Sequence, residues 1–250
     1  MSKLLDEVNA AIADGVEQRT QTWFELRLGK FTASEIHKLM GVGKRKMTDE
    51  ELANRPTGPR GGLLDKSTTV EDDNVLSAGA VTYIESKVAE IWTGRQSDSF
   101  DSYATEWGNE NEDIARKEFE QRYKVTVTLN GHNVWSEEPN EAGGSSDGFV
   151  DGQDAIIEIK CPFNSGIHVS YCRAKSQDDL PVAYKFQMQS NMLFSGKNKC
   201  YFISFDPRVI NEKNRLFILE VPADIAIQEQ IKTKLRVAIK EKQRLLSDLA

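Results

Sequence analysis

The residues best suited to chemistry lie in SSDGFVDGQDAIIEIKCP, positions 145 to 162. In Ala155-Ile-Ile-Glu-Ile-Lys160, a strand would send alternate side chains to opposite faces. Ile157 and Ile159 then point one way, and Ile156, Glu158 and Lys160 the other. Asp151-Gly-Gln-Asp154 reads as a hairpin turn in which Gly152 takes a positive φ. Folding that hairpin back brings Asp147 beside Glu158. Two carboxylates offer hard oxygen donors suited to Mg²⁺ or Mn²⁺. An adjacent ammonium orients a water or stabilises charge on a phosphate. Metal-dependent phosphodiester hydrolysis needs such a set.

Two plainer accounts compete. Glu-x-Lys on a strand is commonly a solvated ion pair, and Asp-Gly turns are widespread. A calcium loop is the other: Asp147, Asp151, Gly152 and Glu158 fall at its first, fifth, sixth and twelfth positions. Phe149 stands at the third position and cannot ligate. The segment before the loop is a poor helix, and Cys161-Pro162 would break the one after it.

A third carboxylate is sought in TEWGNENEDIARKEFE, 105–120. At helical spacing Glu106, Glu110, Asp113 and Lys117 form a polar, solvated face. Gly108, Glu112, Ala115 and Phe119 form a small or apolar one. Glu112 is therefore the acid expected to point inward, where it needs a cation, a metal or a proton. The alternative is a surface pair with Arg116 one turn on. A helix near 181–195 carries Gln187 and Gln189 beside Tyr184. Gln189 has the reach to bind a phosphate or a water, and Gln187 alone reads as an ordinary polar face. His37, His132 and His168 lack ligand spacing and read as structural or surface residues.

The elements that must hold these groups follow from patterning. Helices are expected over 4–18, 32–41, 78–93, 104–122, 181–195 and 223–247. The short one, TASEIHKLMG, shows capping-box spacing between Thr32 and Glu35, with Gly41 as terminator. Strands are expected over 124–129, 132–136, 148–152, 155–160, 199–205 and 215–221. Residues 42–77 are polar, with two prolines, a Gly-Gly pair and the run Lys44-Arg45-Lys46. They read as a long mobile surface loop. Helices flanking a central mixed sheet imply one α/β domain over all 250 residues.

Bulk composition excludes several classes. With 39% hydrophobic and 28% charged residues the chain is ordinary for a folded domain. No apolar run approaches the roughly 18–20 residues that cross a bilayer, so no membrane partner is expected. The amino-terminal stretch has acids within its apolar pattern, unlike a signal peptide. Three cysteines without a Cys-x-x-Cys pair argue against a disulfide framework and for a reducing cytoplasm. A net charge of −7 argues against coating nucleic acid by bulk charge, though not against a local basic groove.

Taken together, Glu112, Asp147 and Glu158-Ile159-Lys160 resemble the PD-(D/E)XK nuclease core, with Ser146 where that superfamily has proline. More closely, the chain resembles the lambda exonuclease-like, YqaJ-type phage recombination exonucleases. The resemblance runs in order through 16–40, WGNENEDIAR (107–116), SSDGF (145–149), EIKCPF (158–163), AYKFQMQ (183–189) and FDPR (205–208). It implies a two-metal, Mg²⁺-dependent exonuclease, with Mn²⁺ as a substitute, that digests one strand of duplex DNA from the 5′ end. Asp147, Glu158, Glu112 and the carbonyl of Ile159 would bind metal, and Lys160 would activate water. Arg27, Ser34 and Ser145 would hold the 5′-phosphate, and Gln189 or its neighbour Gln187 would lie by the metals. A homotrimeric ring, a single-strand annealing partner and the cytoplasm of a bacterial host are further implications. The rivals are an endonuclease of the same superfamily and a non-catalytic Ca²⁺- or DNA-binding module.

Overall fold

A computed structural model describes residues 20–96, 103–129 and 132–250. The helix expected over 4–18 lies outside them. In chain order the helices are α1 (Gln21–Arg27), α2 (Asp49–Ala53), α3 (Ala78–Thr93), α4 (Tyr103–Tyr123), α5 (Ser165–Tyr171), α6 (Val182–Ser195) and α7 (Ile225–Asp248). The strands are β1 (Phe31–Thr32), β2 (Val42–Lys46), β3 (Thr69–Leu76), β4 (Val127–Thr128), β5 (Asn133–Val134), β6 (Ala142–Gly144), β7 (Gly148–Val150), β8 (Ala155–Lys160), β9 (Lys199–Phe205) and β10 (Leu216–Pro222).

The central sheet has the order β10-β9-β8-β7-β4. β7 and β8 form the expected hairpin, with Gly148 opposite Ile157 and Gly152 at φ 71°. β8 runs parallel to β9, so the chain must cross over between them, and α5 and α6 make that crossing. The first five residues of β8 are all buried, as a strand covered on both faces requires. Ile157 and Ile159 join Ala115 and Phe119 of α4 in one apolar cluster. Ile156 turns to the other face, toward Met188 and Met192 of α6. Glu158 and Lys160 share that second face.

A second body of apolar residues gathers Phe31, Ile36, Tyr83, Ile84, Trp135 and one face of α7. It surrounds a small sheet of order β1-β6-β5, in which Phe31 pairs with Ala142 and Asn133 with Gly144. The sequence pattern gave no warning of β1 or β6, because neither exceeds three residues. For the same reason the strands expected over 124–129 and 132–136 shrink to two residues each.

Two expectations need correction. Residues 42–77 are not a structureless loop: β2 and β3 pair antiparallel, and α2 between them carries a complete capping box from Thr48 and Glu51. Arg45 ties the arm together through Glu51 at 2.8 Å and Asp72 at 2.9 Å. The segment at 32–41 is a 3-10 helix over Ala33–Leu39 without a side-chain cap bond at Thr32. Glu35 instead pairs with Lys38 and with the buried Lys87 of α3. The helix ends at Leu39 with Met40 as its C-cap, and Gly41 follows directly after the cap. Among the described residues no helix is long and apolar enough to cross a membrane.

Candidate active site

The hairpin register places Asp147 one residue outside β7, across from Glu158. Its N–H donates to Ile157 O at 3.1 Å, and its Oδ2 accepts from Ile159 N at 2.5 Å. Lys160 Nζ donates to Glu158 Oε1 at 2.6 Å and stands 5.0 Å over the Tyr184 ring of α6. Glu158 is 1% exposed. Burial raises Asp147 well above the usual carboxylate range, and the charges of Glu158 and Glu112 add to it. Burial also raises Glu158, against the pull of Lys160. For Lys160 burial works the other way, but Glu158 and Asp147 outweigh it and keep the ammonium protonated.

Glu112 lies on the shoulder of α4, half-buried beside the fully buried Ala115. Its charge reaches Asp147, Glu158 and Cys161. Arg116 pairs with Asp113 and Glu120, which accounts for the cation considered as Glu112's partner. Among the described residues no three His, Cys, Asp or Glu side chains stand close enough to enclose an ion alone. Asp147 and Glu158 form a pair, and any cation they hold would need further oxygens, such as Glu112 and backbone carbonyls. The donor chemistry fits a hard divalent cation: two lifted carboxylates, with one ammonium among them, gain from added positive charge. Burial holds the Cys161 thiol up at about 12 and Cys200 well above its ordinary value, so neither offers a thiolate.

Gln189 is turned away from this site. Its Nε2 donates to Gln177 Oε1 at 2.8 Å and Pro222 O at 3.0 Å, and its Oε1 accepts from Asp224 N at 2.8 Å. It fastens α6 to the start of α7. Gln187 falls on the helical face of Tyr184 and Asn191, the face toward the carboxylates. Asn191 was not singled out from sequence, yet its Nδ2 reaches Glu158 Oε2 at 3.1 Å and Ser145 O at 3.5 Å. Its signal was there to find: it stands two turns from Tyr184.

Ser145 opens a second group. Its Oγ accepts from Trp23 Nε1 at 2.9 Å, and the Arg27 guanidinium lies 4.1 Å over that indole. Arg27 Nη2 donates to Ser34 Oγ at 3.5 Å. The turn behind them is fixed at Gly29, whose φ of 69° suits glycine. Its N–H donates to Glu90 Oε2 at 2.9 Å and its carbonyl accepts from Lys242 Nζ at 2.7 Å. A cleft of about 420 Å³ opens beside Arg27, lined also by Thr32, Glu35, Lys38 and Tyr83. Neither the carboxylates nor Ser145 line that cleft. Behind the site Arg208 binds Asp206 at 2.8 Å, donates to Phe163 O at 2.7 Å and stacks 4.3 Å over Trp107. It thereby joins the strand end after Lys160 to α4.

A mixed sheet with an acid pair and a Glu-x-Lys strand on its central hairpin defines a nuclease fold of the PD-(D/E)XK type. Within that class the chain belongs to the family of the YqaJ-like viral recombinase domain, whose pattern matches residues 22–198. The alkaline exonuclease LHK-Exo from Laribacter hongkongensis is similar at 25% identity and TM-score 0.69, over 92% of this chain and 96% of that one. The same protein in complex with dAMP matches at 26% identity and TM-score 0.69, over 92% and 96% of the two chains. A phage related exonuclease from Haemophilus somnus 129PT shares the fold at 17% identity and TM-score 0.64, over 88% of this chain and 96% of that one. No curated protein matches significantly.

Proposed function

We propose that this chain is a Mg²⁺-dependent exonuclease that digests one strand of linear duplex DNA from the 5′ end and leaves a 3′ single-stranded overhang. The observation that carries the reading is the junction at Asn191. One amide nitrogen reaches both Glu158 and Ser145, so the carboxylate pair and the Arg27–Ser34–Ser145 group share a wall. Hydrolytic groups joined to an anion-reading group suit a DNA terminus that bears a phosphate. The complex of LHK-Exo with dAMP, a nucleoside monophosphate, supports the same class of ligand.

Asp147, Glu158, Glu112 and the carbonyl of Ile159 are the groups that would hold the ions, two Mg²⁺ or Mn²⁺ in their place. When bound, such a pair clamps the attacking and leaving oxygens of an in-line displacement. The chain's own groups do the rest. Lys160, kept as an ammonium, donates to the attacking water and faces charge on the phosphate. Asn191 and the Ile159 N–H aim the two carboxylates, leaving them little freedom to turn away. Arg27 presents a planar fork to a terminal phosphate. Gln187, on the Tyr184 face, would be the glutamine that meets the substrate.

The acidic chain has little diffuse attraction for DNA at physiological salt. Sustained digestion then calls for retention by shape, and we extend the proposal to a ring of three copies that passes its 3′ strand to an annealing protein. Light scattering should give a mass near three chains; a stable monomer that digests long duplexes without dissociating overturns the ring. The activity itself is tested on linear duplex with one 5′ end phosphorylated and the other blocked. Mg²⁺-dependent shortening from the phosphorylated end alone, with circular DNA left intact, is the expected result. Cleavage of the circle would assign an endonuclease, and no hydrolysis with either metal would refute the reading.

A further inference from the structure

His132 belongs to none of the functional groups above, yet it touches one of them. It is 2% exposed, and its Nδ1 lies 3.4 Å from Ser145 Oγ. Its other ring nitrogen, Nε2, is buried without a hydrogen-bond partner. That nitrogen abuts the backbone of β6: a Cβ on Gly143 would stand 2.5 Å from it.

A serine hydroxyl has one hydrogen to give and two lone pairs to receive with. At Ser145 one lone pair is taken by Trp23 Nε1, since an indole nitrogen only donates. The second bond depends on His132. Burial above all, then the charges of Arg27 and Lys30, hold its pKa down to about 3, so the ring is neutral and carries one proton. If that proton sat on Nε2, a buried N–H would be orphaned, and Ser145 would spend its hydrogen on Nδ1. If it sits on Nδ1, the orphan is a lone pair, which interiors tolerate better than an unpaired donor.

We propose that His132 is a positioning residue whose Nδ1–H fills the second lone pair of Ser145, so that the serine hydrogen is left for a ligand that only accepts. This rests on the 5′-phosphate reading given above, and it adds a cause for the preference. A phosphate dianion has acceptors alone, whereas a 5′-hydroxyl brings a hydrogen of its own. In the opposite tautomer Ser145 would show the phosphate a lone pair and repel it. Trp23 serves twice, filling one lone pair of Ser145 and carrying the Arg27 guanidinium on its face.

Two measurements test this. In the full-length wild type labelled with ¹⁵N-histidine, the ring of His132 should show a protonated Nδ1 and a bare Nε2; the reverse pattern overturns the inference. In the Mg²⁺-loaded enzyme, the ratio of kcat/KM for phosphorylated over hydroxyl 5′ ends should fall about tenfold in His132→Leu, the worth of one oriented hydrogen bond. His132→Asn, whose amide N–H takes the place of Nδ1–H, should keep most of the ratio. In a Ser145→Ala background His132→Leu should add nothing. A wild type indifferent to the phosphate fails the 5′-end reading and this inference with it. A wild-type preference that survives in His132→Leu overturns the inference alone. Should His132→Leu not fold, the ring protonation of the wild type still decides.

Discussion

The carboxylate hairpin and the Arg27 pocket meet at one asparagine but are built differently. The hairpin is local: Asp147, one residue before β7, and Glu158, in β8 of the central sheet, are joined by a single hairpin. Its bonds are short, at 2.5 and 2.6 Å. The pocket joins segments far apart in sequence, Trp23 to Ser145 and Lys242 to Gly29. Beside the 2.9 Å bond from Trp23 to Ser145, two of its polar contacts are long, 3.5 Å for Arg27 to Ser34 and 3.4 Å for His132 to Ser145. Bonds of that length are weak. The difference sets a tightly bonded local hairpin against a looser group drawn from distant segments.

The sharpest way to break the comparison is to empty the hairpin. Asp147→Ala, Glu158→Ala and Lys160→Ala should each lower turnover by on the order of 10⁴ while the protein stays folded by circular dichroism. Normal Mg²⁺-dependent digestion by any one of them would remove the hairpin from the chemistry. Glu112→Gln should approach that loss, and Glu110→Gln, on the exposed face, should change little; the opposite order would show that α4 presents a different face.

At the seam, Asn191→Ala should cost roughly 10- to 100-fold, the usual price of losing a group that orients a metal-binding carboxylate. It should do so on phosphorylated and hydroxyl ends alike, because Glu158 serves both. In the pocket, Arg27→Ala should erase the preference for a 5′-phosphate, and Arg27→Lys should restore little of it, since a point charge does not replace a planar fork. A lysine variant with the full preference would refute the role of the fork.

Stability separates the two regions further. Asp147 has a raised pKa, from burial first and then Glu158 and Glu112. A carboxyl of that kind costs nothing while protonated in both folded and unfolded states. The cost grows as pH rises above the ordinary aspartate value of about 3.9 and is complete once the raised value is passed. Metal-free Asp147→Asn should therefore be more stable than wild type at neutral pH, by about 1 kcal/mol, with the gap closing near pH 4. Thermal melts along a pH series with chelator would show it; a constant gap would mean the carboxyl is not strained. The smallest effect belongs to the arm of β2, α2 and β3. Glu51 is held down to about 2, chiefly by Arg45, so its support is whole above the ordinary glutamate range and is lost as pH falls toward 2. The pair is exposed, and salt screens it. Amide exchange in 42–77 should speed up slightly in that acid window, while exchange in β8 does not follow it.

How legible each region was follows from the same contrast. The period of a strand is two, and a hairpin with a Gly turn fixes register, so the meeting of Asp147, Glu158 and Lys160 could be read directly. Helix α4 was readable because its buried residues recur at helical spacing. Helix α6 was not: Met188, Gln189, Ser190, Asn191 and Met192 are all buried, and a helix covered nearly all round has no polar face to sort its amides. Only the helical phase that Asn191 shares with Tyr184 sets it apart from Gln189, and tertiary contacts tie the first to Glu158 and the second to α7. The arm at 42–77 was hidden by Pro56, Pro59 and the Gly61-Gly62 pair, which sit between β2 and β3 rather than within them. His132 was hidden because nothing near it in sequence marks it as a neighbour of Ser145.

The clasp of Lys242 on Gly29 also bears on the order of folding. Lys242 reaches Gly29 O across 213 residues of sequence, and Lys234 of the same helix donates to Gly41 O at 3.4 Å. The turn that sets Arg27 is thus held in part by α7, whereas the hairpin of β7 and β8 closes on itself. Contacts of such long separation are slow to form, so the hairpin should be in place before that turn is locked.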